Sequence, residues 1–370
     1  MSPIPPTFID FFAGSGLVSE GVSRTCKVVW ANDICPKKTA IYTANHDKEH
    51  FHLKPIQEVS GSSIPEADIA WGSFPCQDLS LAGKMIGLEG NRSGLFWEWL
   101  RVIGEMKTPP NVLVLENVVG LLTSNGGEDF RTLIAALEER SYRVGSAVMD
   151  ALEWLPQSRP RVFIVAVKCS LDTSVLEDHE PNWLQPQSIQ KATKGIRNHV
   201  NWWMPVPPKR ESFLSDIVEW NAPTFEPERF DKLFSLVPKN HLERLLSIPP
   251  NKKVVLPGYR RTRKGKQVLE LRFDNISGCL RTAEGGSSCQ FLLLHQGGDW
   301  QGRKLTVREA ARLMGAPETY QLSESYNESY SAMGDAVAAP VVDYLAENLL
   351  VPLSKAPIRT SATAFSGGLL

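Results

Sequence analysis

Six short runs, TFIDFFAG, VVWAND, DIAWGSFP, VLVLEN, YRVGSAVMDA and RVFIVAV, lie within the first 167 residues of this 370-residue chain. They are apolar along most of their length rather than alternating, the pattern of strands buried on both faces. Amphipathic segments separate them. In DFRTLIAALEERSY, for instance, Phe130, Leu133, Ile134 and Leu137 fall on one helical face. Doubly buried strands separated by helices predict an α/β fold, a doubly wound and mostly parallel sheet.

The pattern breaks after Val167. Residues 170–260 are rich in Pro, Trp, Asn and Ser without sustained periodicity, which predicts a second, smaller and irregular domain. Regularity returns with TVREAARLMGAP and GDAVAAPVVDYLAENLL, where Val337, Val341, Leu345 and Leu349 recur every four residues. The expected division is therefore 1–170 with 330–352 as one domain, 171–329 as the other, and 353–370 as a flexible tail. Apolar residues make up 42% of the chain and charged ones 22%, enough apolar material for a large core. No apolar run reaches membrane-spanning length and the start lacks a secretory pattern, so a soluble cytoplasmic protein is expected.

The cysteines at 26, 35, 76, 169, 279 and 289 form no C-x-x-C and have no histidines at ligand spacing, so neither metal nor disulfide is expected. A formal net charge of -1 means that any surface for a polyanion is local. One such stretch exists at residues 252–272. There Lys252, Lys253, Arg260, Arg261, Arg263, Lys264, Lys266 and Arg272 face a single acid, Glu270. Such a run suits either a solvated face or contacts to phosphates and guanine edges.

Four local patterns carry chemistry. The strand FIDFF runs into the small-residue turn Ala13-Gly14-Ser15-Gly16 and then a helix, which lets a ligand approach the backbone, while Asp33 ends the next strand where ribose hydroxyls could be met. Cys76, in GSFPCQ, sits past the carboxyl end of a strand, at the edge where doubly wound sheets bind ligands. Glu116 closes VLVLEN at the same edge, so that a thiol and a carboxyl converge. In Gln157-Ser158-Arg159-Pro160-Arg161, an extended backbone puts both arginines on one face. Taken singly, each has a plain structural alternative: a tight turn, a core thiol, a capping acid, an ordinary Arg pair.

In this order, however, the strings closely resemble the cytosine-5 DNA methyltransferases across residues 8–345. The family's Phe-x-Gly-x-Gly, Pro-Cys-Gln, Glu-Asn-Val and Gln-x-Arg-x-Arg blocks look like FAGSG, FPCQ, ENV and QSRPR; its two later blocks resemble KLTVREAARLMGAP and GDAVAAP. The resemblance implies S-adenosylmethionine as methyl donor, held by Phe12, Ala13, Gly14, Gly16, Leu17, Asp33, Ile34, Asp68, Ile69, Pro75 and Asp335. Asp33 would meet the ribose and Asp68 the adenine amine. It implies Cys76 as the nucleophile on C6 of cytosine, Glu116 at N3, and Arg159 helping to hold the pyrimidine, with Arg161 also among the catalytic residues. The cytosine would be turned out of the duplex, with the loop from Gln77 to Arg92 closing over it.

Double-stranded DNA is the implied partner, contacted by Gln77, Ser80, Arg92, Arg260, Arg261, Arg263 and Thr282, with Arg260 and Arg261 as the leading readers. The chain is expected to be a monomer, acting either beside a separate cognate restriction endonuclease or as an orphan methylase. Where the family's closing block carries Gly-Asn, this chain has Gly334-Asp335, exchanging an amide donor for an acid. Transfer-RNA methylation and a non-catalytic DNA-binding relative are the alternatives, though the latter would be expected to lack Cys76 or Glu116. A nicotinamide enzyme or a thiol hydrolase explains only single strings.

Overall fold

Seven strands form the central sheet in the order β3-β2-β1-β4-β5-β7-β6. They are β1 (Thr7–Phe11), β2 (Lys27–Asp33), β3 (Phe51–Leu53), β4 (Ile69–Gly72), β5 (Val112–Val118), β6 (Tyr142–Asp150) and β7 (Pro160–Lys168). The computed structural model describes residues 4–75, 94–282 and 289–359. The first five strands pair in parallel, and β7 inserts antiparallel between β5 and β6. The doubly wound, mostly parallel sheet is thus present, with one reversed strand. β3, only three residues long, is too short to leave a periodic signal.

Apolar clusters cover both faces. One gathers Phe8, Trp71, Val114, Phe163 and the C-terminal residues Val341, Val342, Leu345 and Leu349; the other gathers Ile9, Phe11, Trp99, Leu113, Phe130 and Leu137. The expected helical face Phe130, Leu133, Ile134, Leu137 is buried along the helix Glu128–Glu138. The segment Tyr326–Ser354 is long and apolar enough to cross a membrane, a feature missed in the sequence. Residues 336–338 interrupt its helix, and Tyr330, Met333, Leu345 and Leu349 lie in the core, so it packs the sheet from within.

The middle of the chain is more regular than its composition implies. After two short paired strands, β8 (Glu177–Asp178) and β9 (Asn201–Trp202), comes an antiparallel sheet of β10 (Val254–Arg263), β11 (Lys266–Leu271), β12 (Phe291–Gln296) and β13 (Asp299–Lys304), in the order β11-β10-β12-β13. It has its own small core of Leu233, Leu245, Leu256, Leu269, Phe291 and Leu293. By contrast, Leu171, Leu184, Trp202 and Leu214 join the main core, although they fall in the stretch expected to be the second domain. Residues 353–359 are also not a loose tail. Leu353 is buried, Ile358 pairs with Leu171, and Arg359 donates to the Ser170 and Leu171 carbonyls. Backbone pairing fixes them, and composition does not reveal such pairing.

Candidate active site

The turn after β1 is shaped by backbone geometry. Phe12, Gly14 and Gly16 all have positive φ, and a Cβ on Gly16 would come within 2.6 Å of His46 and 2.8 Å of Tyr42. Only glycine fits there. The Asp33 carboxylate, at the end of β2, accepts the Gly14 amide at 2.9 Å and the Cys35 amide at 2.8 Å. One acid therefore fixes the turn and presents itself at the carboxyl edge. Ile34, 66% exposed, offers an open apolar face beside it, and Pro75 is exposed at the end of the neighbouring chain segment.

Two expected donor contacts, Asp68 and Ile69, are corrected. Asp68 and Ile69 stand at the amino end of β4, opposite the edge that carries Gly14. Ile69 pairs with Phe8 and is fully buried, and the Asp68 carboxylate accepts the Thr7 amide at 2.7 Å and its hydroxyl at 2.8 Å. With about 3.3 Å of rise per residue, β4 holds them a strand's length from the turn. The Leu17 side chain is buried in the core, leaving only its backbone at the helix start.

Glu116 lies near the end of β5, almost fully buried, with Oε1 3.0 Å from Arg161 Nε. Burial raises its pKa above the usual carboxyl value, while Arg161, Arg159 and a hydrogen bond from Ser73 pull the other way. Asn117 donates to the Phe74 carbonyl at 3.1 Å. The last residues of β5 are thereby stapled to the segment that leads into Pro75 and Cys76. Cys76 itself, with Gln77, Ser80, Arg92 and the loop between them, lies outside the described residues.

The two arginines of QSRPR do different work. Arg161 meets the Glu116 carboxylate. Arg159 does not face the same point. It is buried and donates to the carbonyls of Leu280 (3.0 Å), Gly334 (2.8 Å) and Ala336 (2.7 Å) and toward Cys279 Sγ (3.2 Å). Burial, with Arg161 nearby, lowers its pKa to about 10, still cationic at neutral pH. A buried guanidinium must satisfy its donors, and the nearest acceptors are backbone carbonyls. Gln157 acts likewise, donating to the Leu313 carbonyl at 2.6 Å and accepting the Leu280 amide at 3.0 Å. Gly334 packs directly on this segment, since a Cβ there would come within 2.4 Å of Arg281 and 2.8 Å of the Thr282 nitrogen. Asp335, next to it, is ion-paired with Lys38 at 2.6 Å.

A cleft of about 800 Å³ runs from Ser158 and Pro160, where β7 begins, to Tyr259, Arg261, Arg263, Cys279 and Arg281. Lys264 and Gly265, both at positive φ, turn β10 into β11, the geometry of a two-residue hairpin. The basic run is therefore a folded hairpin. Arg261 and Arg263 line the cleft, Arg263 also pairing with Glu270. Arg260, one residue away on a strand, faces the other side and lies over the Phe291 ring at 5.2 Å. It packs against the small core, whereas Arg261 lines the cleft. Among the described residues no cluster of His, Cys, Asp or Glu is arranged to hold a metal.

Comparison with known proteins places this geometry in context. The family described as C-5 cytosine-specific DNA methylase matches residues 6–350. Type II methyltransferase M1.ScrFI of Lactococcus lactis subsp. cremoris is 31% identical, the match covering 94% of this chain and 78% of the relative. Type II methyltransferase M.HhaI of Haemophilus parahaemolyticus is 27% identical, covering 92% and 93%. Among solved structures, the Entamoeba histolytica methyltransferase EhMeth superposes with a TM-score of 0.61 at 16% identity, over 94% of this chain and 98% of that one. That last likeness speaks for the fold alone.

Proposed function

Since the chain belongs to the C-5 cytosine-specific DNA methylases, and is a DNA methyltransferase acting at cytosine C5, we propose how its own residues carry out the transfer. S-adenosylmethionine is the proposed donor. The fit rests on the positive-φ turn at Phe12–Gly16, the Asp33 carboxylate at its rim and the open apolar face of Ile34. The donor supplies an electrophilic methyl group when bound. Asp33 and the turn amides hold its nucleoside end, with Ile34 against the base.

Cys76 adds as thiolate to C6 of the cytosine, while Glu116 donates a hydrogen bond or proton at N3. Electron density thus reaches C5, which takes the methyl group. Loss of the C5 proton and departure of the Cys76 sulfur restore the aromatic ring. Arg161 orients Glu116, and Arg159 holds the surrounding segments rather than the base. The observation that carries this reading is Glu116, buried with its pKa raised by that burial, and stapled through Ser73 and Asn117 to the segment entering Cys76.

Specificity for one duplex sequence belongs to the cleft lined by Arg261, Arg263 and Arg281, and by Thr282 beside it. The Type II names of the relatives support a role beside a separate cognate nuclease in the cytoplasm. Sequencing 5-methylcytosine in DNA from a host expressing the chain tests activity and target together. Methylation at one sequence context, abolished by Cys76→Ala, is the expected result; unmethylated DNA would overturn it.

A further inference from the structure

Asp335 stands where the family block carries an amide, and the structure supplies a partner for the added charge. Lys38, in the helix Pro36–Asn45, holds it at 2.6 Å, with 26% and 39% of the two side chains exposed. Lys38 also runs along the donor turn, its Cδ 3.8 Å from where a Cβ on Gly14 would stand. Burial works against the ammonium, but Asp335 and Asp33 more than offset it and hold its pKa above the usual lysine value. The backbone around Asp335 is fixed, because Arg159 grips the carbonyls on either side of it, Gly334 and Ala336. The carboxylate is thus a movable group on a rigid base. A half-exposed ion pair contributes little net stability, so exchanging partners costs little.

Resting on the donor reading above, we propose that Lys38 and Asp335 form a separable pair that receives the amino-acid end of the donor. Lys38 takes its α-carboxylate and Asp335 its α-ammonium. Each charge of the pair meets its opposite in the zwitterion, so neither is left unpaired when they part. The rim also matches the donor in sum. Two carboxylates, Asp33 and Asp335, against one ammonium leave one negative charge, facing a donor with one net positive charge from its sulfonium, ammonium and carboxylate. The product has lost the sulfonium charge and with it that attraction, which favours release.

Calorimetric titration separates this clamp from a merely structural pair. S-adenosylhomocysteine carries the amino-acid end, and 5′-methylthioadenosine lacks it. Lys38→Met and Asp335→Asn are expected to weaken the first about tenfold and the second less than twofold, with Lys38→Arg keeping most of the affinity. Equal losses for both nucleosides, or none for either, would overturn the clamp; thermal melting identifies a variant that has not folded, and if Lys38→Met is that variant Asp335→Asn carries the test. If the wild-type chain bound neither nucleoside, the donor reading itself would fall.

Discussion

Arg161 Nε lies 3.0 Å from Glu116 Oε1 because the antiparallel β7 enters the sheet beside the last turns of β5, with Arg161 registered against Val118. Reversal of this one strand is what brings an arginine from the start of β7 to a carboxyl at the end of β5. Burial raises the Glu116 pKa and Arg161 counters it. Removing the guanidinium disfavours the carboxylate further. Arg161→Met is therefore expected to move the alkaline limb of single-turnover methyl transfer to higher pH while lowering the maximal rate. Glu116→Gln should lower that rate by about 10² to 10⁴-fold with DNA affinity little changed. Pre-steady-state transfer of labelled methyl across pH 6 to 9 checks both, and an unmoved limb in Arg161→Met would detach Glu116 from the pH profile.

Arg159 is expected to behave as a structural tie. Arg159→Met strands the carbonyls of Leu280, Gly334 and Ala336 in the interior, an uncompensated loss of about 3 to 5 kcal/mol by analogy with other buried charged groups. Urea denaturation should show it. A variant as stable as wild type but catalytically dead would instead return Arg159 to the chemistry.

Much of this architecture could be read from the chain, for a physical reason. Strands buried on both faces must be apolar throughout, so the runs ending at Phe11, Asp33 and Glu116 announced both the sheet and its carboxyl edge. Asp68 was misplaced because an acid at the start of a strand and one at its end look alike unless the strand's bounds are known; the apolar run begins only at Ile69. Partners far apart in sequence left no local trace. Lys38 with Asp335, Arg159 with Gly334, and Asn117 with Phe74 are set by tertiary packing alone. In the basic run, the period of two could have separated Arg260 from Arg261, had the stretch been read as a strand.

The hairpin makes a paired prediction. Arg261 faces the cleft and Arg260 the Phe291 ring. Arg261→Ala is expected to weaken binding to the cognate duplex by about 1 to 3 kcal/mol and to relax preference at one base. Arg260→Ala should instead cost about 1 kcal/mol of folding stability through lost cation–π packing, with sequence preference intact. Competition binding at fixed salt against altered duplexes distinguishes them. If Arg260→Ala alone changed the preference, the assignment of faces would be wrong.

Beneath the donor turn, Asp10 is fully buried in β1. Its Oδ2 accepts the Ser19 hydroxyl at 2.9 Å, and its Oδ1 has no hydrogen-bond partner among the described residues. Burial, with the nearby Asp33 charge adding to it, pushes the pKa up from 3.8 to about 7. The unfolded chain releases this proton near pH 4 while the folded chain keeps it until about pH 7. Folding stability from this group is therefore full at acid pH, falls as pH rises through that window and levels off above it, by roughly 4 kcal/mol at most. Asp10→Asn keeps an acceptor for Ser19 and cannot ionise. Any cost of its amide at the Oδ1 position is the same at every pH, so only the slope is diagnostic. The stability of Asp10→Asn relative to wild type should rise between about pH 4 and pH 7 in denaturant titrations and level off above that. Parallel slopes would mean that Asp10 is ionised in the folded protein throughout, with its charge compensated by a group other than Ser19.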